Sequence, residues 1–192
     1  HLLQNGGRGI IYLPFFNYNY GDLSMTHDLL ASPRTKNGLS DAGAHCGAIA
    51  DGGMPTFMLT HWARDRKRGP RHSLEYMVHR QTRDTALVFG LEDRGLIAPG
   101  LRADLNLIDY ENLSFEMPYM AYDLPANGRR LVQKAKGYVA TLVSGEIVRR
   151  DGEFTGALPG LLLRGPRGRY TDQPPASYTP AEPARQIPRS PA

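Results

Sequence analysis

The chain has 192 residues, 41% of them hydrophobic, which is enough apolar material to bury a core in one or two domains. Lys and Arg outnumber Asp and Glu by 23 to 19, but the excess is scattered over Arg64 to Arg68, Arg129–Arg130 and the tail from Arg164, without aromatic interleaving, and reads as solvated surface rather than a nucleic-acid interface. One cysteine excludes an internal disulfide framework and fits a reducing, cytoplasmic setting, and no apolar run approaches the ~20 residues that span a membrane.

The chain starts at His1, and its first residues already read as the middle of a folded element, so a fragment of a longer protein is expected. Gly9 to Phe16 is a continuous apolar run with β-branched and aromatic residues, the pattern of a strand buried on both faces of a parallel sheet. It ends in the polar aromatic loop Asn17-Tyr18-Asn19-Tyr20-Gly21. Asp22 or Ser24 caps a helix through Met25, Leu29 and Leu30, stopped by Ser32-Pro33. Thr35 to Ser40 reads as a second short strand that delivers Asp41 at its C-terminal end.

Three helices are expected next. Pro55 to Asp65 has Phe57, Leu59 and Trp62 as apolar positions and Pro55 in its first turn. Ser73 caps the second, and Arg83 to Gly90 is the third, closed by Gly90 in the left-handed conformation favoured at C-termini. From Gly95 the texture changes. Ile97 to Gly100 is a turn, Ala103 to Asp109 alternates as a half-exposed strand, and Tyr138 to Val148 reads as two strands joined across Ser144-Gly145. The expected organisation is an α/β region over 1–94, a small β region over 95–165, and a Pro- and Arg-rich tail over 166–192 that cannot form a core.

The chemistry concentrates in Gly38 to Gly47, "GLSDAGAHCG", which places Asp41, His45 and Cys46 within six positions. A carboxylate at the C-terminal end of a parallel strand sits where α/β enzymes gather their loops, and it can take a proton from an attacking water. The other reading of Asp41 is a turn cap. His45 and Cys46 invite a zinc reading, but adjacent ligands do not readily share one ion, and no four-ligand set assembles from them with His61, His72 and His79.

Several segments together resemble the N-acyl-D-amino-acid deacylases (D-aminoacylases) of the amidohydrolase superfamily. They are "FNY" at Phe16 to Tyr18, the loop at Gly38 to Gly47, "PTFMLTHWARDR" at Pro55 to Arg66, "DRGLIAPGLRADLNLID" at Asp93 to Asp109, "DLPANGRRL" at Asp123 to Leu131 and "TGALPGLLLRG" at Thr155 to Gly165. They follow one another in a single order over about residues 1 to 165, which is far more specific than any one motif.

The resemblance implies the C-terminal part of a metal-dependent (β/α)8 barrel plus the C-terminal strands of a small β-sandwich. It implies hydrolysis of the amide bond of a small-molecule N-acyl-D-amino acid, with zinc polarising the scissile carbonyl. Asp41 matches the aspartate that handles the proton, while the zinc ligands belong to earlier barrel strands, so no metal ligand is assigned here and Cys46 is not the family's cysteine ligand. Asn17, Tyr18 and Tyr20 would either line the substrate pocket or form an exposed aromatic loop, and His45 would either hydrogen-bond near the substrate or shape its loop. His61 and Trp62 sit on a helix and either pack or face solvent. Asp104 and the turn at Ala98-Pro99-Gly100 recur in amidohydrolases generally and need no catalytic role. The alternative within the same fold is a cyclic amide substrate, of the hydantoinase or dihydropyrimidinase kind. A partial barrel without most metal ligands is expected to be inactive alone.

Overall fold

The computed structural model describes residues 1, 3–7, 9, 11, 17, 18, 21–38, 40, 42, 43, 47 and 51–165. The expected strand over Gly9 to Phe16 and the tail over 166–192 lie largely or wholly outside the described residues.

A short helix, α1 (Gln4–Gly7), precedes α2 (Ser24–Ala31). The Asp22 carboxylate accepts from the Ser24 amide at 2.9 Å, so it bonds the first helical amide from just ahead of the N-cap residue Leu23, which makes no side-chain cap. The helix closes where the Ser32 amide bonds back to Asp28 and Leu29 and Pro33 follows. Beyond it, residues 35–38 and 40 are not a strand, contrary to the sequence expectation. A strand exists only as part of a ladder, whereas the Thr35 hydroxyl donates to the carbonyls of Leu29 and Ser32 and folds this segment against the helix end.

A 3-10 turn (Asp51–Gly53) leads into α3 (Met54–Thr60), with Pro55 at its start. The helix then widens into a π-helical turn, His61–Asp65, in which the Arg66 amide reaches the His61 carbonyl at 2.9 Å. The predicted helix over Pro55 to Asp65 is therefore present, with its last turn wider than expected. Trp62 is 2% exposed there, while Arg64 reaches out to the carbonyls of Tyr110, Glu111 and Leu113. Helix α4 (Leu74–Gln81) starts at Ser73, whose hydroxyl accepts from the Tyr76 amide at 3.1 Å, as its sequence position predicts. A break at Thr82 separates it from α5 (Arg83–Val88), after which Gly90 takes a φ of +66° and the Leu91 amide returns to the Ala86 carbonyl.

The rest is antiparallel sheet. Strands β1 (Leu105–Ile108), β6 (Tyr138–Val143), β7 (Glu146–Arg150) and β8 (Glu153–Phe154) form one four-stranded sheet in that order. Ser144 and Gly145 both have positive φ and join β6 to β7 with Val143 opposite Glu146, the turn read from the sequence. Asp151 and Gly152 repeat that geometry between β7 and β8. In β1 the end residues Leu105 and Ile108 are half-buried and the middle pair Asn106 and Leu107 exposed, so the strict alternation read from the sequence does not hold. Between β1 and β6 the chain makes two further strand pairs: β2 (Ser114–Phe115) with β5 (Ala135–Lys136), and β3 (Tyr119–Leu124) with β4 (Gly128–Val132).

One cluster of buried side chains organises both halves. Met58, Leu59 and Trp62 of the α3 region and Met77 of α4 meet Leu113 from the β1–β2 connection, with Ile108, Tyr110 and Tyr138 packed against them. Hydrogen bonds from the Tyr110 hydroxyl to the Leu59 carbonyl at 3.1 Å and between the Thr56 and Tyr138 hydroxyls at 2.9 Å satisfy the polar groups along this seam. Asp104 caps the β6–β7 turn by accepting from the Ser144 amide at 2.8 Å and pairs with Arg94 at 3.0 Å, a structural role. No helix among the described residues is long and apolar enough to cross a membrane.

Candidate functional site

Of the residues singled out by sequence, Asp41, Tyr20 and His45 lie outside the described residues, as does Cys46. Asn17 and Tyr18 are both exposed, Asn17 in the left-handed region at φ 70°, and the Tyr18 carbonyl accepts from the Gly21 amide at 2.9 Å to close a tight turn. What the structure does define is how the segment carrying Asp41 is held at its two ends.

The approach to Asp41 is gripped by α4 and α5. The Tyr76 hydroxyl donates to the Leu30 carbonyl at 2.8 Å. One turn on, the Arg80 guanidinium, in a residue only 2% exposed, donates through Nη2 to the Thr35 hydroxyl at 3.2 Å and through Nη1 to Asp84 Oδ2 at 2.7 Å. The other oxygen of Asp84 accepts from Lys36. Lys36 first, and Arg80 with it, hold the Asp84 carboxyl below its ordinary range, against the opposing effect of burial.

The exit from Asp41 rests on the start of α3. A Cβ placed on Gly52 would lie 3.7 Å from the Ala42 Cβ and 3.9 Å from the Gln133 Cβ, so the residue after Asp41 sits in contact distance of that turn. At the next position the Gly53 amide donates to Gln133 Oε1 at 2.7 Å, and Gln133 Nε2 donates to the Glu116 carbonyl at 3.0 Å. The site is tight at 53: an added Cβ would stand 3.1 Å from the Phe115 ring and 2.9 Å from Gln133 Oε1, so the Gln133 side chain would have to shift and its bond to the Gly53 amide with it. The connection between β4 and β5 is thus tied to the start of α3.

The histidines form a separate layer behind these anchors. His27 of α2 and His72 stack face to face with centroids 4.3 Å apart and planes 9° apart, and His61 stacks on Phe57 at 4.6 Å. Arg66 lies over the Trp62 ring at 4.5 Å. Burial is the main cause that lowers the pKa of both His61 and His72, with the Arg66 charge acting in the same direction. His61 and Trp62 therefore pack, the first of the two alternatives for that helix. His79 faces solvent.

These residues do not fit a metal site. Ring-nitrogen lone pairs lie in the ring plane, so two stacked imidazoles cannot converge on one ion, and among the described residues no three His, Cys, Asp or Glu side chains come together around a common point. An open groove of about 310 Å³ at the end of α5 is lined by apolar side chains such as Phe89 and Leu91 together with Arg94 and Asp104, which bind each other.

Sequence reasoning missed His27 and the Tyr76, Arg80 and Asp84 row. The latter carries a partial signal, since Tyr76 and Arg80 are four apart on one face of α4, while Asp84 joins them from α5 across the break at Thr82.

Residues 23–149 match the family model described as the amidohydrolase family. A protein of Mycobacterium tuberculosis, described as uncharacterized, is 34% identical over 162 residues, covering 81% of this chain and 26% of the relative. A dihydroorotase of Lactobacillus johnsonii is 28% identical over 138 residues, 69% of this chain and 32% of its own length. An N-acyl-D-aspartate deacylase of Alcaligenes xylosoxydans xylosoxydans is 37% identical over 92 residues, 47% of this chain and 16% of its own length. The chain spans about a quarter of the length of the mycobacterial relative, at 26%. No solved structure matches it significantly.

Proposed function

Because this chain belongs to the amidohydrolase family, we propose that the parent enzyme hydrolyses the amide bond of N-acyl-D-amino acids, in the cytoplasm, with Asp41 as the residue that handles the proton. The observation that carries the substrate choice is the 37% identity to an N-acyl-D-aspartate deacylase over 92 residues. In this reading residues 1–94 are the last strands and helices of a (β/α)8 barrel, and residues 95–165 are the C-terminal part of a β-sandwich. Asp41 stands at the barrel mouth, with Asn17, Tyr18, Tyr20 and His45 toward the substrate.

The chemistry asked of Asp41 is general acid–base work. Its carboxylate accepts a proton as water attacks the acyl carbon, then gives it to the nitrogen as the C–N bond breaks, which leaves a carboxylic acid and a free D-amino acid. The family generally binds metal ions. In this reading the zinc is held by residues of earlier barrel strands of the parent, and no step is assigned to the described residues through it.

The similarity to a dihydroorotase favours the alternative, a cyclic amide substrate. Assay of the full-length parent on N-acetyl-D-amino acids, a hydantoin and dihydroorotate separates the two. Deacylation of the linear amide is expected, and Asp41→Asn should lower kcat about 10²-fold or more with bound zinc retained. Turnover of rings alone would reject the deacylase reading, and an unimpaired Asp41→Asn variant would remove Asp41 from the mechanism.

A further inference from the structure

Three imidazoles and one guanidinium surround the single tryptophan. The ring centroids of His61, His72 and His27 lie 5.0, 6.1 and 6.2 Å from that of Trp62, and the Arg66 Cζ stands 4.5 Å from it. With the rings neutral the cluster holds one positive charge, and with the rings protonated it holds four. Arg66 is fixed in place, 7% exposed and donating through Nε to the Arg68 carbonyl at 2.6 Å. The nearby carboxylates offset this charge poorly. Asp28 of α2 pairs with His27 Nδ1 at 3.1 Å but is exposed, Asp65 is already held by two nitrogens of Arg64, and Glu75 of α4 is exposed. Arg80 of α4 adds to the positive field at His72, and Tyr76, whose ring lies 5.3 Å from that of His72, has its hydroxyl committed to the Leu30 carbonyl.

The stack of His27 on His72 joins a firm element to a weakly held one. His72 belongs to the core: its amide donates to the Trp62 carbonyl at 2.9 Å, and its Nε2 is buried without a hydrogen-bond partner among the described residues. His27 belongs to α2, which contributes no fully buried side chain and lies on the core through the partly buried Leu23 and Leu30. A second charge placed across a 4.3 Å stack therefore drives α2, the less anchored side, outward into water, where both imidazoles regain hydration. The acids that flank α2 do not respond in the same range. The Ser24 amide holds Asp22 below its usual value, as Lys36 does for Asp84, so both stay ionised above their ordinary value of 3.8.

We propose that the stacked pair of His27 and His72 is an acid-sensitive latch, which fastens α2 to the helical core and releases it, with the core intact, when the rings take up protons. Burial first, then the charges of His27, Arg66 and Arg80, hold the His72 ring below its ordinary 6.5 while the latch is closed, and that restraint ends when α2 lifts away. The latch is therefore closed above pH 6.5 and opens as the pH falls below it. The released helix also unwinds, since eight residues are too few to stay helical alone in water. The device is independent of which amide the parent hydrolyses.

The test is hydrogen–deuterium exchange of the full-length parent from about pH 7 to about pH 5, corrected for the intrinsic pH dependence of exchange, with the peptides covering α2 and α4 compared. Each proton taken up makes opening roughly tenfold more favourable per pH unit below 6.5 until the closed value is reached, so protection over 24–31 should fall about tenfold while 74–81 keeps its own. His72→Phe keeps an aromatic ring in the stack and removes the titrating group, and it should abolish most of that fall. His72→Gln makes the same test should the larger ring not be accommodated. Protection over 24–31 that does not change with pH in the unaltered protein would overturn the latch. So would a loss shared equally by 74–81, which is unfolding of the core, or an undiminished loss in the His72 variants, which places the titrating group elsewhere.

Discussion

Gly137 offers a quantitative check on how the β region is fastened to the helical core. It has a φ of +94°, and a Cβ built on it would stand 2.8 Å from the Leu113 Cα and 3.0 Å from both the Leu113 amide nitrogen and the Asp109 carbonyl oxygen. All three neighbours are backbone, in a loop closed by the Asp109 amide bonding to the Gly137 carbonyl at 2.8 Å. The loop cannot yield without withdrawing Leu113, which is fully buried among Met58, Leu59, Trp62 and Met77. Gly152 provides the control, with a φ of +85° and open space where its Cβ would go. Both Gly→Ala changes incur the left-handed penalty of about 1–2 kcal/mol, and only Gly137→Ala adds an overpacking cost of about 1–3 kcal/mol. The expected losses are thus about 2–5 kcal/mol for Gly137→Ala against about 1–2 kcal/mol for Gly152→Ala. Urea titration followed by fluorescence reads this directly, because Trp62 is the single tryptophan and is 2% exposed. Equal midpoint shifts for the two variants would show that the contact between Gly137 and the Leu113 backbone is not what limits the site.

Two further outcomes follow from the same core. Met77 has no exposed surface, so Met77→Ala should cost about 2–5 kcal/mol in urea titration, whereas Met77→Leu should cost under about 1.5 kcal/mol. Burial, then the charges of His27, Arg66 and Arg80, hold His72 below its ordinary value of 6.5, opposed only by a backbone contact with His27. Unfolded His72 therefore binds a proton where the folded ring does not, and the stability it allows above pH 6.5 declines as the pH drops through that value toward the lower folded pKa. His72→Gln should flatten urea midpoints measured from about pH 7 to pH 5, and a slope identical to that of the unaltered chain would exclude His72 as their cause.

The elements that could be read from sequence are those whose stop and start signals are local. Asp22 and Ser73 bond first-turn amides within three residues, Pro33 and Gly90 terminate within two, and Ser144-Gly145 specifies its own turn. Thr35 to Ser40 misled because a short segment leading to the expected acid was read as a strand, and nothing in the sequence shows that the Thr35 hydroxyl bonds back to α2 instead. The wide turn at His61–Asp65 was equally hidden, since its i→i+5 bond leaves no mark on the apolar spacing. For the candidate site, the acid was legible as chemistry, while its supports were not. Arg80 to Thr35 and Gln133 to Gly53 join residues 45 and 80 positions apart, and contacts at such distances follow from packing rather than from pattern.

That last pairing also has a kinetic meaning. The meander β6–β7–β8 closes through two tight turns and can form as soon as its own residues are present, whereas the Gly53 to Gln133 bond closes a loop across 80 positions. During N-to-C synthesis, Trp62 and Met58 can pack on Met77 of α4 early, but their cover is complete only when Leu113 has emerged. In chain order Gln133 emerges before the meander strands at 138–154, so the brace onto Gly53 can close while those last strands are still being made, and its closure does not depend on them.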